Sequence, residues 1–93
     1  MRERNIEQFF RNAVKEHGGL ALKFTSPGFD GMPDRLVLFP GGRIAFAEIK
    51  APGRKPRPVQ AARHALLRDL GFRVYVIDSK DKVMEVIDDI QTR

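Results

Sequence analysis

Two short apolar runs joined by Pro-Gly-Gly, in residues 34–50, constrain the fold more than any other feature of the chain. The runs DRLVLF and RIAFAEIK carry apolar side chains on both of their alternating faces, which is typical of strands inside a sheet. A three-residue loop built as a type I turn plus a left-handed residue favours proline first and glycine last. That loop pairs Phe39 with Arg43. The sequence therefore predicts a central hairpin in which Asp34 lies directly opposite Glu48.

Helices and strands alternate around this hairpin in one predicted domain, residues 1–93. Three consecutive strands indicate an antiparallel meander, and a fourth strand that follows a helix is expected to pair in parallel. The expected fold class is α/β in the broad sense, an α+β mixed sheet with helices on both faces. The predicted elements are strands over residues 21–25, 34–39, 43–50 and 72–77, helices over residues 3–17 and 58–70, and a last helix capped by Ser79.

Each predicted helix has one apolar face, which we expect to be buried against the sheet. Gly18 and Gly19 are expected to end the first helix, and Gly71 the second. The three faces are formed by Ile6, Phe9, Phe10, Ala13 and Val14, by Val59, Ala62, Leu66 and Leu70, and by Val83, Val86, Ile87 and Ile90.

Length and composition exclude several classes of protein. The 93 residues suit a single domain, and the absence of cysteine excludes disulfides, thiol catalysis and thiolate zinc sites. No apolar run approaches the roughly 18 residues that a membrane helix needs, and the N-terminal sequence lacks the apolar stretch of a signal peptide. A cytoplasmic protein with no membrane partner is therefore expected. The net charge of +5 and the pI near 10.1 favour a polyanionic partner such as nucleic acid.

The predicted hairpin brings two carboxylates together at its open end. Directly opposed residues have Cβ atoms about 4.5–5.5 Å apart, and Lys50 points to the same face as Glu48. The carboxylates of Asp34 and Glu48 repel each other, and a magnesium ion would relieve that repulsion because it prefers carboxylate oxygens. Two alternatives stay open. The three residues form an ordinary surface ion pair, or a one-residue slip of the register puts the carboxylates on opposite faces.

The charged motifs of the chain resemble those of a nuclease family. Gly-Met-Pro-Asp ending at Asp34, Glu-Ile-Lys at residues 48–50 and Gln60 early in the next helix resemble the PD-(D/E)xK nucleases. More narrowly, they are similar to the VRR-NUC (virus-type replication-repair nuclease) branch, including its stand-alone phage and bacterial members. The resemblance covers nearly the whole chain, from the first helix to the last strand.

The resemblance implies a restriction-endonuclease-like αβββαβ core and DNA cleavage with Mg²⁺ or Mn²⁺. It implies that Asp34, Glu48 and the backbone carbonyl of Ile49 bind the metal and that Lys50 is the catalytic lysine. Gln60 would orient water or phosphate. Stand-alone members of the family are associated with homodimers that act on four-way (Holliday) junctions, and embedded members with flaps.

The family's first-helix glutamate corresponds best to Glu7, a further candidate metal ligand. On a helical wheel, Glu7 lies at the edge of the apolar face, and Glu3 lies one turn earlier on the same edge. A solvent-exposed glutamate is the alternative for both residues.

Several polar residues near these motifs are candidate DNA contacts. Arg54, Lys55 and Arg57 follow Lys50 in a basic loop, although a charge run is often only a solvated loop. Lys23 and Ser26, which precede the Gly-Met-Pro-Asp motif, and His64, one turn after Gln60, complete the set of candidates. His64 has the alternative of an ordinary surface histidine.

The sequence thus favours a metal-dependent DNA endonuclease that acts as a homodimer on four-way or other branched DNA. One alternative is a nuclease of the same class that cuts flaps or another substrate. Another is a non-catalytic DNA-binding module that keeps the fold. Three phenylalanines outside the predicted core are candidates for a dimer interface: Phe24, Phe29 and Phe72.

Overall fold

The computed structural model describes residues 2–92, and their elements follow the predicted order α-β-β-β-α-β-α. Each element begins and ends within a few residues of its predicted bounds. The helices are α1 (Glu3–Glu16), α2 (Pro58–Asp69) and α3 (Lys80–Gln91), and the strands are β1 (Leu20–Lys23), β2 (Arg35–Phe39), β3 (Arg43–Ile49) and β4 (Arg73–Ile77).

The four strands form one mixed sheet in the order β1-β2-β3-β4. The pairs β1–β2 and β2–β3 are antiparallel, and β3–β4 is parallel, as predicted. Phe39 pairs with Arg43 and Arg35 with Ala47, so the register places Asp34 opposite Glu48. The turn itself differs from the predicted type I form. Gly41 has a φ of +87°, which belongs to the third residue of a type II turn, where glycine has no Cβ to clash.

The sheet carries helices on both faces, as expected for interior strands β2 and β3. Helices α1 and α3 cover one face and build the larger core, which includes Phe10, Val37 and Ile87. Helix α2 covers part of the other face, where Leu67 packs against Phe46 and Val74. Glu48 and Phe46 share the α2 side because they are two residues apart on one strand.

The predicted orientation of α2 is wrong. Leu66 is 40% and Leu70 65% exposed, whereas the helix buries Gln60, His64 and Leu67. Apolar side chains are spread around α2, so periodicity alone selects its inner face poorly. The inner face is instead the one whose polar side chains reach the end of β3.

Two glycines join α1 to the sheet. Gly18 has a φ of +87°, and the N–H of Gly19 donates to the carbonyl of Val14 (2.9 Å), which is the hydrogen bond of a Schellman cap. A Cβ on Gly19 would lie 2.6 Å from the carbonyl oxygen of Leu38, so glycine permits the close approach of the helix end to β2. The hydroxyl of Ser79 accepts from the N–H of Lys82 (3.1 Å), which confirms the predicted cap of α3. None of the helices in residues 2–92 is long and apolar enough to span a bilayer.

Candidate active site

Glu48 and Asp34 meet at the end of the hairpin, as the register predicted. The Glu48 side chain lies at the end of β3 and is only 1% exposed. Asp34 is half-buried just before β2, and its Oδ2 accepts a hydrogen bond from the N–H of Ile49 (3.3 Å). This bond fixes the Asp34 carboxylate across the hairpin, beside the backbone of Ile49.

Lys50 and Gln60 complete a hydrogen-bonded network around Glu48. The Nζ of Lys50 lies 3.4 Å from Oε2 of Glu48 and donates to Oε1 of Gln60 (3.0 Å). The Nε2 of Gln60 donates to the same Glu48 oxygen (3.0 Å). The Oε1 of Gln60 also accepts from the N–H of Arg57 (2.8 Å), which satisfies an otherwise free donor at the start of α2. Gln60 therefore ties the helix terminus to both charged residues.

The surroundings of Glu48 favour its protonated form. Burial, followed by the nearby Asp34 carboxyl, raises the pKa of Glu48 to about 7, whereas Lys50 lowers it. Two carboxylates thus share a site that one lysine neutralises only in part. A divalent cation would remove this electrostatic conflict.

The donor set fits a hard divalent cation. Oε1 of Glu48 is buried and has no hydrogen-bond partner within residues 2–92, and carboxylate oxygens are the ligands that Mg²⁺ and Mn²⁺ prefer. Within the same residues, no group of three or more His, Cys, Asp or Glu side chains is placed to hold a metal. Mg²⁺ does not require such a group, since it is commonly bound through one or two carboxylates plus water and substrate phosphate.

The first-helix glutamates lie at the rim of this site. Oε1 of Glu7 forms an ion pair with Arg35 (3.1 Å). Glu7 and Asp34 line one cavity of about 270 Å³, together with Glu3, Lys23 and Arg35. The structure therefore brings Glu7 close to Asp34, but it places the Glu7 carboxylate on an arginine of β2. The sequence did not predict that partner.

His64 is the residue whose position sequence reasoning missed. It was expected on the surface, but it is 2% exposed, and its Nε2 lies 3.9 Å from Oε1 of Glu48. Burial, followed by the positive charges of Arg68 and Lys50, lowers the pKa of the imidazole against the effect of Asp34. Its burial removes the reason for placing it among the DNA contacts. The available signal was its i, i+4 spacing from Gln60, which puts both side chains on one face of α2.

The remaining basic candidates lie on either side of the site. The exposed residues Arg54, Lys55 and Arg57 line a cavity of about 210 Å³ next to Lys50 and Glu3. Lys23 lines the cavity on the Asp34 side. The carbonyl of Ser26 accepts from the N–H of Phe29 (3.1 Å) in a turn. Positive charge is therefore present beside both Asp34 and Lys50.

Comparison with known proteins identifies relatives of this chain. No family model matches the chain. Among curated proteins, it is 52% identical over 81 residues, 87% of each chain, to "Putative nuclease p44" of Acyrthosiphon pisum secondary endosymbiont phage 1. A solved structure described as "VRR_NUC domain" superposes with a TM-score of 0.86 at 33% identity, over 92% of this chain and 94% of that one. With this coverage and identity, and with the same αβββαβ core, the chain belongs to the VRR-NUC domain family.

Proposed function

We propose that this protein is a divalent-metal-dependent DNA endonuclease that hydrolyses phosphodiester bonds. The observation that carries the proposal is the network at the end of the hairpin, where Asp34, Glu48 and Lys50 converge in a chain of the VRR-NUC family. A buried, unpartnered carboxylate oxygen beside a second carboxylate is costly in a merely structural site. It is useful where a cation and a phosphate bind.

Asp34 and Glu48 would hold the metal, with the carbonyl of Ile49 and the carboxylate of Glu7 as further ligands. The bound ion would supply Lewis acidity and lower the pKa of a coordinated water. Glu7 can contribute only if it leaves Arg35, or if one carboxylate serves both partners.

Besides the metal ligands, two side chains of the protein would take part in the reaction, Lys50 directly and Gln60 by positioning it. The Lys50 ammonium holds and orients the attacking water and stabilises the negative charge that develops on the phosphate oxygens. Gln60 holds Lys50 and Glu48 by two hydrogen bonds of 3.0 Å, so the ammonium is fixed before substrate binds. As the water oxygen attacks phosphorus it gives up one proton to solvent, one P–O ester bond breaks, and the leaving oxygen takes up a proton from solvent.

The basic side chains beside the site would bind the DNA backbone. Arg54, Lys55 and Arg57 are exposed next to Lys50, and Lys23 lies on the other side of Asp34. Each side chain can neutralise a phosphate and release counterions, which makes affinity depend steeply on salt. A DNA strand that runs from Lys23 to the basic loop at residues 54–57 would pass over the carboxylates of Asp34 and Glu48.

We further propose a homodimer that cuts four-way or other branched DNA at two sites related by a twofold axis. Four large apolar side chains are at least 40% exposed on the α2 side of the sheet: Leu20, Leu22, Ile44 and Phe72. A chain this small has a thin margin of buried surface, so covering that patch with a second copy would stabilise it. Phe24 is a weaker interface candidate than Phe29 and Phe72 because it is only partly exposed, whereas Phe29 and Phe72 are 41% and 40% exposed.

Sedimentation equilibrium is expected to give twice the chain mass of 10.6 kDa. Leu22→Lys should shift the protein to monomer, because it puts a charge into the apolar patch. Lys82→Ala, on α3 across the sheet, is the matched control and should leave the dimer intact. A wild-type protein that sediments as monomer at micromolar concentration would contradict the dimer and leave the nuclease proposal standing.

Cleavage of labelled four-way junction, flap, linear duplex and single-stranded DNA tests the activity itself. We expect cutting with Mg²⁺ or Mn²⁺, none with EDTA, and a preference for the junction. If the protein prefers the flap substrate, the proposed activity becomes flap removal and no longer junction cutting. A folded wild-type protein that binds DNA but cuts no substrate with either metal would identify a non-catalytic DNA-binding module.

A further inference from the structure

Two buried polar atoms beside the proposed metal site face each other without hydrogen-bond partners. They are Oε1 of Glu48 and Nε2 of His64, which lie 3.9 Å apart. Neither atom has a hydrogen-bond partner within residues 2–92, and the two residues are 1% and 2% exposed. The other Glu48 oxygen, by contrast, contacts both Gln60 and Lys50.

Helix α2 thus directs two side chains one turn apart at one carboxylate. Gln60 binds Oε2, and His64 faces Oε1. A shift of about 1 Å would bring the imidazole to hydrogen-bond distance. If α2 only had to fill space against the sheet, an apolar side chain would do so without the cost of burying an imidazole nitrogen. The burial of the His64 imidazole beside Glu48 therefore points to a role beyond packing.

We propose that His64 is a positioning residue of the nuclease site, whose Nε2–H holds Oε1 of Glu48 and so orients the carboxylate toward the metal. The inference rests on the proposed function. Metal-ligating carboxylates are themselves usually hydrogen-bonded by such partners, and the loss of a partner typically lowers metal affinity or activity 10–100-fold. A carboxylate oxygen has two lone pairs, so one oxygen can accept from His64 and still bind a cation.

Other roles for His64 agree less well with its surroundings. At 2% exposure, the imidazole is closed off from a DNA backbone on the surface. No group of three ligating side chains forms around it within the described residues, which disfavours a separate metal site. Glu48 remains its polar neighbour at the site.

Substitution of His64 tests the inference through metal binding as well as cleavage. His64→Leu keeps the volume and removes the donor, and His64→Gln restores an N–H of similar reach. For His64→Leu we expect Mn²⁺ affinity, measured calorimetrically, to fall about 10–100-fold. The single-turnover rate at saturating Mn²⁺ should also fall, while KM for DNA stays within about twofold because no DNA contact is lost. His64→Gln should regain most of both losses.

The outcomes separate this inference from the proposed function. If His64→Leu binds Mn²⁺ and cuts as the wild type does, or His64→Gln restores neither quantity although it is folded, His64 is only a core residue and the inference is overturned. If the wild type itself binds no Mn²⁺, the proposed function fails and the inference fails with it. His17→Leu, at the exposed end of α1, controls for loss of a histidine and should leave both quantities unchanged. Should His64→Leu fail to fold, His64→Gln alone decides, since it must bind Mn²⁺ within about tenfold of wild type.

Discussion

Lys50→Ala is expected to lower the single-turnover rate of DNA cleavage by about 10²–10³-fold, the usual effect of removing one preorganised group that stabilises transition-state charge. The Nζ of Lys50 is held 3.0 Å from Gln60 and 3.4 Å from Glu48, so its charge is positioned before substrate arrives. The Lys50 side chain is only 16% exposed. A water molecule that fills its place in the variant carries no positive charge and cannot substitute for the ammonium. The rate should be measured at saturating DNA and Mg²⁺, so that it reports the chemical step.

Two controls make this result interpretable. Lys82→Ala removes an exposed lysine from α3, across the sheet from the site, and should cut at the wild-type rate. The Kd of Lys50→Ala for junction DNA, measured in EDTA, should change far less than the rate, because the other cations proposed to contact the DNA backbone are still present. If Lys50→Ala cuts within threefold of wild type, Lys50 is a charged strand end and the catalytic assignment falls.

The hairpin could be predicted from sequence because its determinants are local. A Pro-Gly-Gly turn flanked by two apolar runs sets the register, and a slip of one residue would move every side chain of a strand to the other face of the sheet. The opposition of Asp34 and Glu48 follows from that register without knowledge of the rest of the fold. The type of turn was predicted wrongly, but both turns bring the same pairs together.

The face of α2 and the position of His64 could not be predicted in the same way. Leu66 and Leu70 mark an apolar stripe, yet this stripe faces outward. The inner face carries Leu67 together with Gln60, which hydrogen-bonds to Glu48. That bond joins residues twelve apart in sequence, on different elements, and leaves no trace in a periodic pattern. The ion pair between Glu7 and Arg35 likewise depends on how α1 docks on the sheet. Polar contacts between different elements are not encoded in a periodic pattern, so neither the buried face of α2 nor the partner of Glu7 could be predicted from the sequence.

Glu48→Gln is expected to stabilise the metal-free protein at pH 8 and to abolish its stabilisation by Mg²⁺. In the folded chain the pKa of Glu48 is about 7, against 4.5 for the ordinary carboxyl. Between these values the unfolded chain loses its proton while the folded chain keeps it. The contribution of Glu48 to the free energy of unfolding of the wild type therefore falls as pH rises from 4.5 to 7 and levels off above 7. The total loss is roughly 3 kcal/mol.

A glutamine at position 48 is neutral at every pH, so it avoids this loss. In urea denaturation with EDTA present, the free energies of unfolding of the wild type and Glu48→Gln should be nearly equal near pH 4.5. At pH 8, Glu48→Gln should be the more stable protein. His64 is present in both proteins, so the difference between them reports mainly Glu48. Adding Mg²⁺ at pH 8 should reverse the order, because ligand that binds only the folded state stabilises it by RT ln(1 + [L]/Kd), and Glu48→Gln has lost an anionic ligand.

The same measurement distinguishes a metal site from a structural ion pair. If Glu48 served mainly to neutralise Lys50, its replacement would leave a half-buried ammonium with a weaker partner. Glu48→Gln would then be less stable than wild type at pH 8 in EDTA, and Mg²⁺ would stabilise neither protein. A site built to hold a cation gives the opposite order in EDTA, because its carboxylates are strained against each other until the metal arrives.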